Sequence, residues 1–412
     1  MMKCVMVGCG SRGIEAYAEP LVKKYSHCAV LCGVYDTNRK RAELVSRMVC
    51  QEIKVFDDFD AMLCETKPDR VIIATKDCDH DYYAIKAMKA GCDVIVEKPL
   101  TTTFEKALEI RKVQQETGKR VIVTFNLRFH NFFIRLKELV SSGVVGDILS
   151  IHYDWMLNTS HGADYFRRWH RYRENSGSLL VHKSSHHFDI ANWLLGEKPL
   201  YVNAFGTRRF YGPTRAERSE RCLNCPYMKK CEFYLDISSG NLKKIYLDCE
   251  DADGYFRDRC VFADDIDIED SVSINVMYSG GAVMSYSLTA HSPYEGMNLI
   301  LNGTKGRIEA SMFHEKITGY TSESTQYIDV LGRNGERVHY DIVLDNSAAH
   351  GGADNNLYER LFENNETEDK LCQMADIEAG IMAIGIGMAS NVSMKEKRQV
   401  ALGEFYKELS NL

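Results

Sequence analysis

The chain has 412 residues, of which 45% are hydrophobic and 26% are charged, and its formal net charge is −7. A chain of this length exceeds the size at which one hydrophobic core usually stops growing, so the sequence predicts two domains. A negative net charge without basic clusters argues against nucleic acid or an anionic membrane as the main partner.

Targeting segments are not expected. The first residues, Met1 to Val5, have the pattern of a strand and leave no room for a signal peptide. The longest apolar stretch, near residues 380–389, is shorter than a bilayer span, so no transmembrane helix is predicted. The fourteen cysteines are mostly scattered through strand and helix patterns. This distribution is typical of a reducing compartment, so we expect a cytoplasmic protein.

Strand-like and helix-like segments alternate over the first third of the chain. Strands are predicted at residues 3–7, 29–35, 70–74, 93–96 and 120–124. Helices are predicted at residues 80–90 and 104–117, each followed by a glycine, and Thr102 with Glu105 predicts a capping box for the second. The alternation predicts an α/β domain with a doubly wound parallel sheet of the Rossmann type.

A glycine motif joins the first strand to the first helix. Gly8, Gly10 and Gly13 have the spacing Gly-x-Gly-x-x-Gly, with Ser11 and Arg12 inside the turn. These glycines permit a tight turn, let the backbone approach a pyrophosphate and allow close packing of the helix. The motif therefore predicts dinucleotide binding.

Two further residues, Asp36 and Arg41, bear on which dinucleotide is bound. Asp36 ends the second predicted strand, at the spacing of an acid that binds a ribose 2′-hydroxyl. Because Asp36 should repel a 2′-phosphate, we expect NAD rather than NADP, whereas the nearby Arg41 weakens that preference.

Pro20 lies inside the first helix pattern, residues 14–25, and should kink or shorten that helix.

The fourth predicted strand ends in an acid, an amine and a proline, Glu97, Lys98 and Pro99. Proline cannot continue a central strand, so Lys98 should project from the carboxyl end of the strand. In an open parallel sheet that end is where ligands bind, although such a lysine can also be ordinary solvated charge.

The pattern changes after residue 124. A helix is predicted at residues 131–142, and hairpin signals connect strands at 271–278, 282–290 and 297–302. This predicts an α+β domain built on a large, mostly antiparallel open sheet with helices on one face. We expect an NAD-binding domain at residues 1–123 and a second domain at 124–412, with a cysteine-rich insertion around 205–262.

Taken in order, these motifs resemble the glucose-fructose oxidoreductase and inositol dehydrogenase family, written Gfo/Idh/MocA, over nearly the whole chain. The matching segments are residues 8–13, 74–75, 80, 97–99, 125–129 and 177–189. The resemblance implies hydride transfer between nicotinamide and a hydroxyl-bearing carbon of a sugar, glycoside or cyclitol. It also implies that the open sheet forms the interface of a homo-oligomer, a dimer or tetramer.

The resemblance also implies roles for individual residues. Lys98 would hold and polarise the substrate hydroxyl, and Glu97 would lie near the nicotinamide. Thr75, His80 and Asn126 would line the cofactor cleft. A lysine beside a developing alkoxide suits this chemistry, because removing a hydride from carbon also requires removal of the hydroxyl proton.

The second motif departs from the family pattern Asp-x-Gly-x-His-x-x-Asp. His186 and Asp189 fit, whereas His182 stands where the first aspartate is expected. On a helix these three side chains would share one face. We expect His182 or His186 to accept the proton with Lys98 assisting; alternatively His182 only packs against the substrate pocket. Zinc held by His182 and His186 is disfavoured because no third ligand is apparent.

Polar and aromatic residues ahead of this motif suit a sugar, although an ordinary packed loop would have the same composition. The substrate candidates here and in the motif are Arg168, Trp169, His170, Lys183 and Asp189, with His161, Tyr165 and Arg167 in the same cluster. A histidine beside glycines at residues 350–354 is a further candidate for contact with a ligand.

The cysteine-rich insertion has a Cys-x-x-Cys pair followed by further thiols. A structural zinc held by Cys222, Cys225, Cys231 and Cys260 is expected. An iron–sulfur cluster and metal-free buried cysteines are the alternatives.

Three functions are therefore open. The first is an NAD-dependent sugar or cyclitol dehydrogenase with net cofactor turnover. The second is a redox-neutral enzyme that cleaves glycosides by oxidation, elimination and reduction on tightly bound NAD, an alternative motivated by the missing aspartate and the extra histidines. The third, disfavoured by the intact Glu97-Lys98 pair, is a nucleotide-sensing protein without activity.

Overall fold

A computed structural model describes residues 1–313, 325–343, 352–363, 368–403 and 405–406. In residues 2–123, five parallel strands form a sheet in the order β2-β1-β3-β4-β5. The strands are β1 Met2–Val7, β2 Ala29–Tyr35, β3 Arg70–Ile73, β4 Asp93–Val96 and β5 Val121–Val123. The predicted doubly wound sheet is confirmed, because the chain crosses from β2 over β1 to β3.

Helices cover this sheet. They span Arg39–Val49, Phe59–Thr66, His80–Lys89 and Phe104–Thr117, with a 3₁₀ turn at Asp77–Asp79. The last of these helices corrects one prediction, because its N-cap is Thr103, whose hydroxyl accepts from the amide of Lys106 at 3.4 Å. The expected cap at Thr102 lies one residue too early.

The helix that follows β1 is not ended by Pro20. Three consecutive segments, Ser11–Gly13, Ile14–Ala18 and Glu19–Lys23, continue the helix, and the middle one is π-helical. Because the wider π turn comes just before Pro20, the chain avoids the clash between a proline ring and the carbonyl four residues earlier.

In the described part of residues 148–401, nine strands form a second sheet in the order β13-β12-β11-β10-β6-β9-β8-β7-β14. All neighbours are antiparallel except β6 and β9. The strands are β6 Ile148–Asn158, β7 Pro199–Thr207, β8 Ser271–Tyr278, β9 Val283–Ser292, β10 Gly296–Gly303, β11 Gly306–Phe313, β12 Thr325–Gly332, β13 Arg337–Asp341 and β14 Val400–Ala401. The predicted large, mostly antiparallel sheet is confirmed.

One face of the second sheet is covered by helices. The helices on the second sheet span Asn131–Ser141, Thr159–Arg167, Arg173–Ser176, Leu179–His182, Ser185–Leu195 and Ile377–Glu396 and form a core with it, whereas the helix Ala353–Phe362 packs against the first sheet. Along β8 the side chains of Val272, Ile274 and Val276 point into this core, whereas Ser273 and Asn275 are exposed. The opposite face of the sheet is left open.

Helix Ile377–Glu396 is long and apolar enough to cross a membrane by length and composition alone. In the protein, 72% of its apolar window is buried. It contacts the helix Ser185–Leu195 and β7. It is thus a core helix of the second domain.

The insertion between β7 and β8 folds back onto the first domain. It contains the helices Gly240–Ile245 and Glu250–Asp253 and a 3₁₀ turn at Leu247–Cys249. Ile245 and Tyr246 join the hydrophobic core of the first sheet.

Candidate active site

The carboxyl ends of the first sheet and the helices of the second domain enclose a cavity of about 1040 Å³. It brings together most of the site residues expected from sequence. These are Gly8, Gly10, Ser11, Arg12, Asp36, Arg41, Thr75, His80, Glu97, Lys98, Asn126, Arg168, Trp169, His170, His182, Lys183 and His186. Gly13 and Asp189 are not among the lining residues.

The glycine turn after β1 forms the floor of one end. Gly8 has a φ of +91°, and a Cβ there would lie 2.4 Å from the carbonyl oxygen of Ala74. A Cβ on Gly13 would lie 2.0 Å from the carbonyl oxygen of Gly8. Gly13 therefore lets the helix pack against the turn, while Gly10, Ser11 and Arg12 face the cavity.

Asp36 lies at the end of β2 beside this turn. Its carboxylate accepts from the amides of Cys9 and Asn38, each at 2.7 Å. Arg41 lies 3.5 Å from Asp36 and 3.0 Å from Asp253 of the insertion. This end of the cavity thus has two carboxylates around one guanidinium.

Glu97 is held in place by neighbours from the first helix. Its carboxylate accepts from Nε of Arg12 at 2.7 Å and from the hydroxyl of Tyr17 at 2.6 Å. Burial opposes ionisation, but Arg12 and Tyr17 outweigh it and hold the pKa of Glu97 below its usual value. Asp354 extends the network, because it contacts Arg12 at 3.2 Å and accepts from Asn126 at 2.8 Å.

Lys98 begins a chain of three polar groups. Its Nζ lies 3.4 Å from Nε2 of His182 and donates to the His182 carbonyl at 3.1 Å. Nδ1 of His182 lies 2.6 Å from Oδ2 of Asp77, a buried residue of the turn after β3. With the Nδ1 proton donated to Asp77, Nε2 is left as an acceptor facing Lys98.

Burial sets the protonation of this chain. It lowers the pKa of Lys98 to about 8, against the attraction of Asp77 and with the added repulsion of Lys183. Burial and then Lys98 hold the pKa of His182 well below its usual value. Burial also raises the pKa of Asp77, against the pull of Lys98 and Arg168. Near neutral pH the imidazole is therefore neutral, and its Nε2 can accept a hydrogen bond from Lys98.

Aromatic rings surround His182. The His170 ring lies 4.0 Å from it between centroids, and His170 stacks on Trp169 at 3.6 Å. His186, four residues further along the chain, also lines the cavity. Burial holds the pKa of His170 well below its usual value, with Arg168 adding to the effect.

Asp189 corrects a prediction. It is 1% exposed and forms a bidentate ion pair with Arg128, at 2.8 and 2.7 Å. The expected shared face does not form, because the helix Leu179–His182 ends and a separate helix, Ser185–Leu195, begins. Asp189 is a core residue and not a substrate contact. The candidate segment 350–354 lies partly outside the described residues, namely His350 and Gly351.

Among the cavity residues that sequence reasoning missed are Asp77, Tyr246, Asp253 and Glu295. Asp77 follows the carboxyl end of β3, so the rule that selected Lys98 at the end of β4 also pointed to it. The other three come from the insertion and from the loop before β10, where no pattern in the sequence signals a ligand.

The insertion forms a strap over the glycine turn, defined here as residues 240–255. The hydroxyl of Tyr246 accepts from the Ser11 amide at 3.2 Å and lies 3.0 Å from Oγ of Ser11. Nδ2 of Asn38 donates to the Cys249 carbonyl at 2.8 Å. The strap therefore covers the end of the cavity next to the glycine turn.

The four cysteines expected to hold a metal lie together, around one small cavity of the insertion. Among the described residues, however, no three His, Cys, Asp or Glu side chains are arranged to hold a metal ion. The Cys222 sulfur instead accepts from Nη1 of Arg167 at 3.4 Å, so a guanidinium lies against the thiol. Neither the expected zinc or iron–sulfur site, at Cys222, Cys225, Cys231 and Cys260, nor a zinc site at His182 and His186 is supported.

The glycine turn, the acid after β2 and the cavity beneath them define an oxidoreductase with a Rossmann domain that binds NAD or NADP. Family models agree on both domains. Residues 2–125 match the oxidoreductase family with an NAD-binding Rossmann fold, and residues 137–402 match the C-terminal α/β domain of the same family. The chain belongs to the Gfo/Idh/MocA oxidoreductase family.

Individual relatives match all or part of the chain. "Putative oxidoreductase YteT" of Bacillus subtilis is 34% identical over 98% of this chain and 99% of its own length. The scyllo-inositol 2-dehydrogenase (NAD(+)) of Bacillus subtilis is 29% identical over 56% of this chain and 60% of its own. An Agrobacterium radiobacter oxidoreductase solved with NAD+, L-tartaric acid and magnesium has a TM-score of 0.67 at 17% identity, covering 98% and 99% of the two chains.

Proposed function

We propose that the protein is an NAD-dependent dehydrogenase that oxidises a hydroxyl-bearing carbon of a sugar or cyclitol. The observation that carries the proposal is the chain from Lys98 through His182 to Asp77, at a cavity that also holds the glycine turn. The inositol dehydrogenases among its relatives support a polyol substrate.

The residues fit a dinucleotide. Gly8 allows the turn, Gly10 lets the backbone approach a diphosphate, and Asp36 at the end of the second strand can accept from a ribose hydroxyl. Because Asp36 and Asp253 both lie at this end, we propose NAD rather than NADP. When bound, NAD supplies the hydride acceptor.

The chain of polar groups removes the proton. The neutral amine of Lys98 takes the proton of the substrate hydroxyl as the hydride leaves the same carbon. Nε2 of His182 orients the Lys98 amine as a hydrogen-bond acceptor, and Asp77 fixes that imidazole by accepting from its Nδ1. His186, Arg168, Trp169 and His170 line the space for the substrate.

Asp77 also removes the reason for the redox-neutral alternative. That alternative was motivated by a histidine in place of the family's aspartate. The structure supplies a carboxylate at the same imidazole from the first domain, at 2.6 Å. Net oxidation of the substrate is therefore the better supported reaction.

Replacing Lys98 by methionine tests the proposal. With NAD and a panel of sugars and cyclitols, we expect NADH formation to fall by about 1000-fold or more, because both the proton acceptor and its charge are lost. NAD binding, measured by calorimetry, should be retained. Full activity in the variant would contradict the assignment, and lysine 89, exposed at the end of its helix, gives the matched control Lys89→Met.

Three further proposals concern the domain boundary, the oligomeric state and the location of the protein. The domain boundary is placed near residue 123, where β5 ends. The open face of the second sheet exposes Tyr201, Phe205, Met277 and Val283, which supports a homo-oligomer formed through this face. The scattered free thiols support a cytoplasmic location.

A further inference from the structure

Lys183 is a cation of the cavity that the proton-transfer chain does not use. It lies between the helices Leu179–His182 and Ser185–Leu195 and is half-buried. Its Nζ lies 5.2 Å from the centre of the Trp155 ring, and both residues line the cavity. Lys183 forms no ion pair with any carboxylate of the described residues.

The carboxylate whose charge acts on Lys183 is already partnered. Glu295 accepts from the amide of Asn158 at 2.8 Å and contacts Nδ1 of His161 at 2.9 Å. Burial lowers the pKa of Lys183, and Glu295 opposes this only in part. A half-buried ammonium without a close counter-ion is costly, which is the condition that a bound anion relieves.

Lys98 adds a second amino group to the cavity and so increases its need for a negative charge. It lines the same cavity, and the positive charge of Lys183 lowers the pKa of Lys98. Two ammonium groups in one cavity repel each other. An anionic group of a ligand bound beside Lys183 would reduce this repulsion while the reacting hydroxyl lies at Lys98.

The cofactor does not account for Lys183. The groups suited to a diphosphate belong to the turn after β1. Lys183, by contrast, lies over the Trp155 ring and interacts electrostatically with His161 and Glu295, three residues of the second domain. The anion that Lys183 receives is therefore on the substrate side of the cavity.

We propose that the substrate is an anionic sugar or cyclitol, and that Lys183 binds its carboxylate or phosphate group. This inference rests on the proposed dehydrogenase function. It assigns Lys183 as the residue that distinguishes acidic from neutral substrates.

Matched substrates test the proposal. The rate of NADH formation is measured with a hexose, the corresponding hexuronate and the hexose 6-phosphate, using wild type, Lys183→Gln, Lys183→Arg and the exposed control Lys89→Gln. We expect kcat/KM of the wild type to favour one anionic sugar over the hexose by about tenfold or more, as for one charge-assisted contact. Lys183→Gln should lose most of this preference through KM, whereas Lys183→Arg and Lys89→Gln should keep it.

Each outcome decides the proposal. Preference for the hexuronate assigns a carboxylate, and preference for the hexose 6-phosphate assigns a phosphate. Preference for the neutral hexose, or a preference that Lys183→Gln leaves unchanged, overturns the proposal. If no sugar yields NADH, calorimetry with NAD-saturated protein separates the two proposals. Binding of an anionic sugar that Lys183→Gln weakens supports this inference although dehydrogenation fails, and absence of binding overturns it.

Discussion

At the scale of single residues, Asp77 supplies the carboxylate that the second motif lacks. Lys98 could be predicted from sequence because a proline marks the end of its strand. The contact of Asp77 with His182 could not, because the two residues are 105 positions apart and meet only when the domains pack. The prediction for Asp189 was wrong because it assumed one continuous helix, whereas the helix ends at His182 and Asp189 pairs with Arg128 in the core. No feature of the sequence marks that break.

Replacing Asp77 by asparagine tests its role. We expect kcat to fall by about 100-fold or more, because an amide can also donate and no longer fixes the His182 tautomer whose Nε2 faces Lys98. NAD binding should persist, because the substitution leaves the glycine turn and Asp36 unchanged. Steady-state kinetics with saturating NAD measures the effect. The exposed Asp60→Asn variant is the matched control, and wild-type kcat in Asp77→Asn would remove Asp77 from the account.

At the scale of elements, the strand and helix patterns predicted the first sheet correctly but did not predict how the insertion folds. The sheet was predictable because its strands are marked by apolar runs and by glycine turns close to them in the sequence. The strap, residues 240–255, follows from contacts such as Tyr246 with Ser11, which are 235 positions apart. The expected metal site is not supported. The Arg167 guanidinium donates to the Cys222 sulfur, and the cysteine spacing in the sequence could not reveal that contact.

Two glycines of the core helix Ile377–Glu396 give opposite expectations. A Cβ on Gly387 would lie 2.4 Å from the carbonyl oxygen of Leu180, in the helix that holds His182. Gly387→Ala should lower the free energy of unfolding by about 1–3 kcal/mol because of this overlap.

Gly385 is the matched control, because the nearest atom to its Cβ would be 3.7 Å away. Gly385→Ala should be neutral or raise the free energy of unfolding by up to about 1 kcal/mol, through the helix propensity of alanine. Urea unfolding measures both variants. A Gly387→Ala protein as stable as Gly385→Ala would show that the two helices do not pack this closely.

At the scale of the whole molecule, chain length predicted two domains. The strand patterns joined by hairpin turns after residue 124 predicted the mostly antiparallel second sheet. How the domains enclose the cavity was not predictable, since the residues that line it come from many separate segments between Val7 and Met312. The open face of the second sheet is the remaining feature at this scale. On it, Phe205 is 72% exposed.

Phe205→Asp tests whether this face joins copies of the chain. We expect the variant to have the mass of a single chain by light scattering after size-exclusion chromatography, because a charge would be buried in the interface. Tyr82→Asp, at a residue 52% exposed on the first domain, is the control and should keep the oligomer. If Phe205→Asp and wild type have the same mass, the interface lies elsewhere.

The pH dependence of hydride transfer tests the central claim most directly, namely that the amine of Lys98 accepts the proton. Protonated Lys98 cannot accept a proton, so kcat/KM for substrate oxidation should rise with pH and level off above a midpoint near the Lys98 pKa of about 8. Asp77 raises that pKa and Lys183 lowers it. The midpoint should therefore move to lower pH in Asp77→Asn and to higher pH in Lys183→Gln. A midpoint that neither variant moves, or that moves in the opposite directions, would contradict the account.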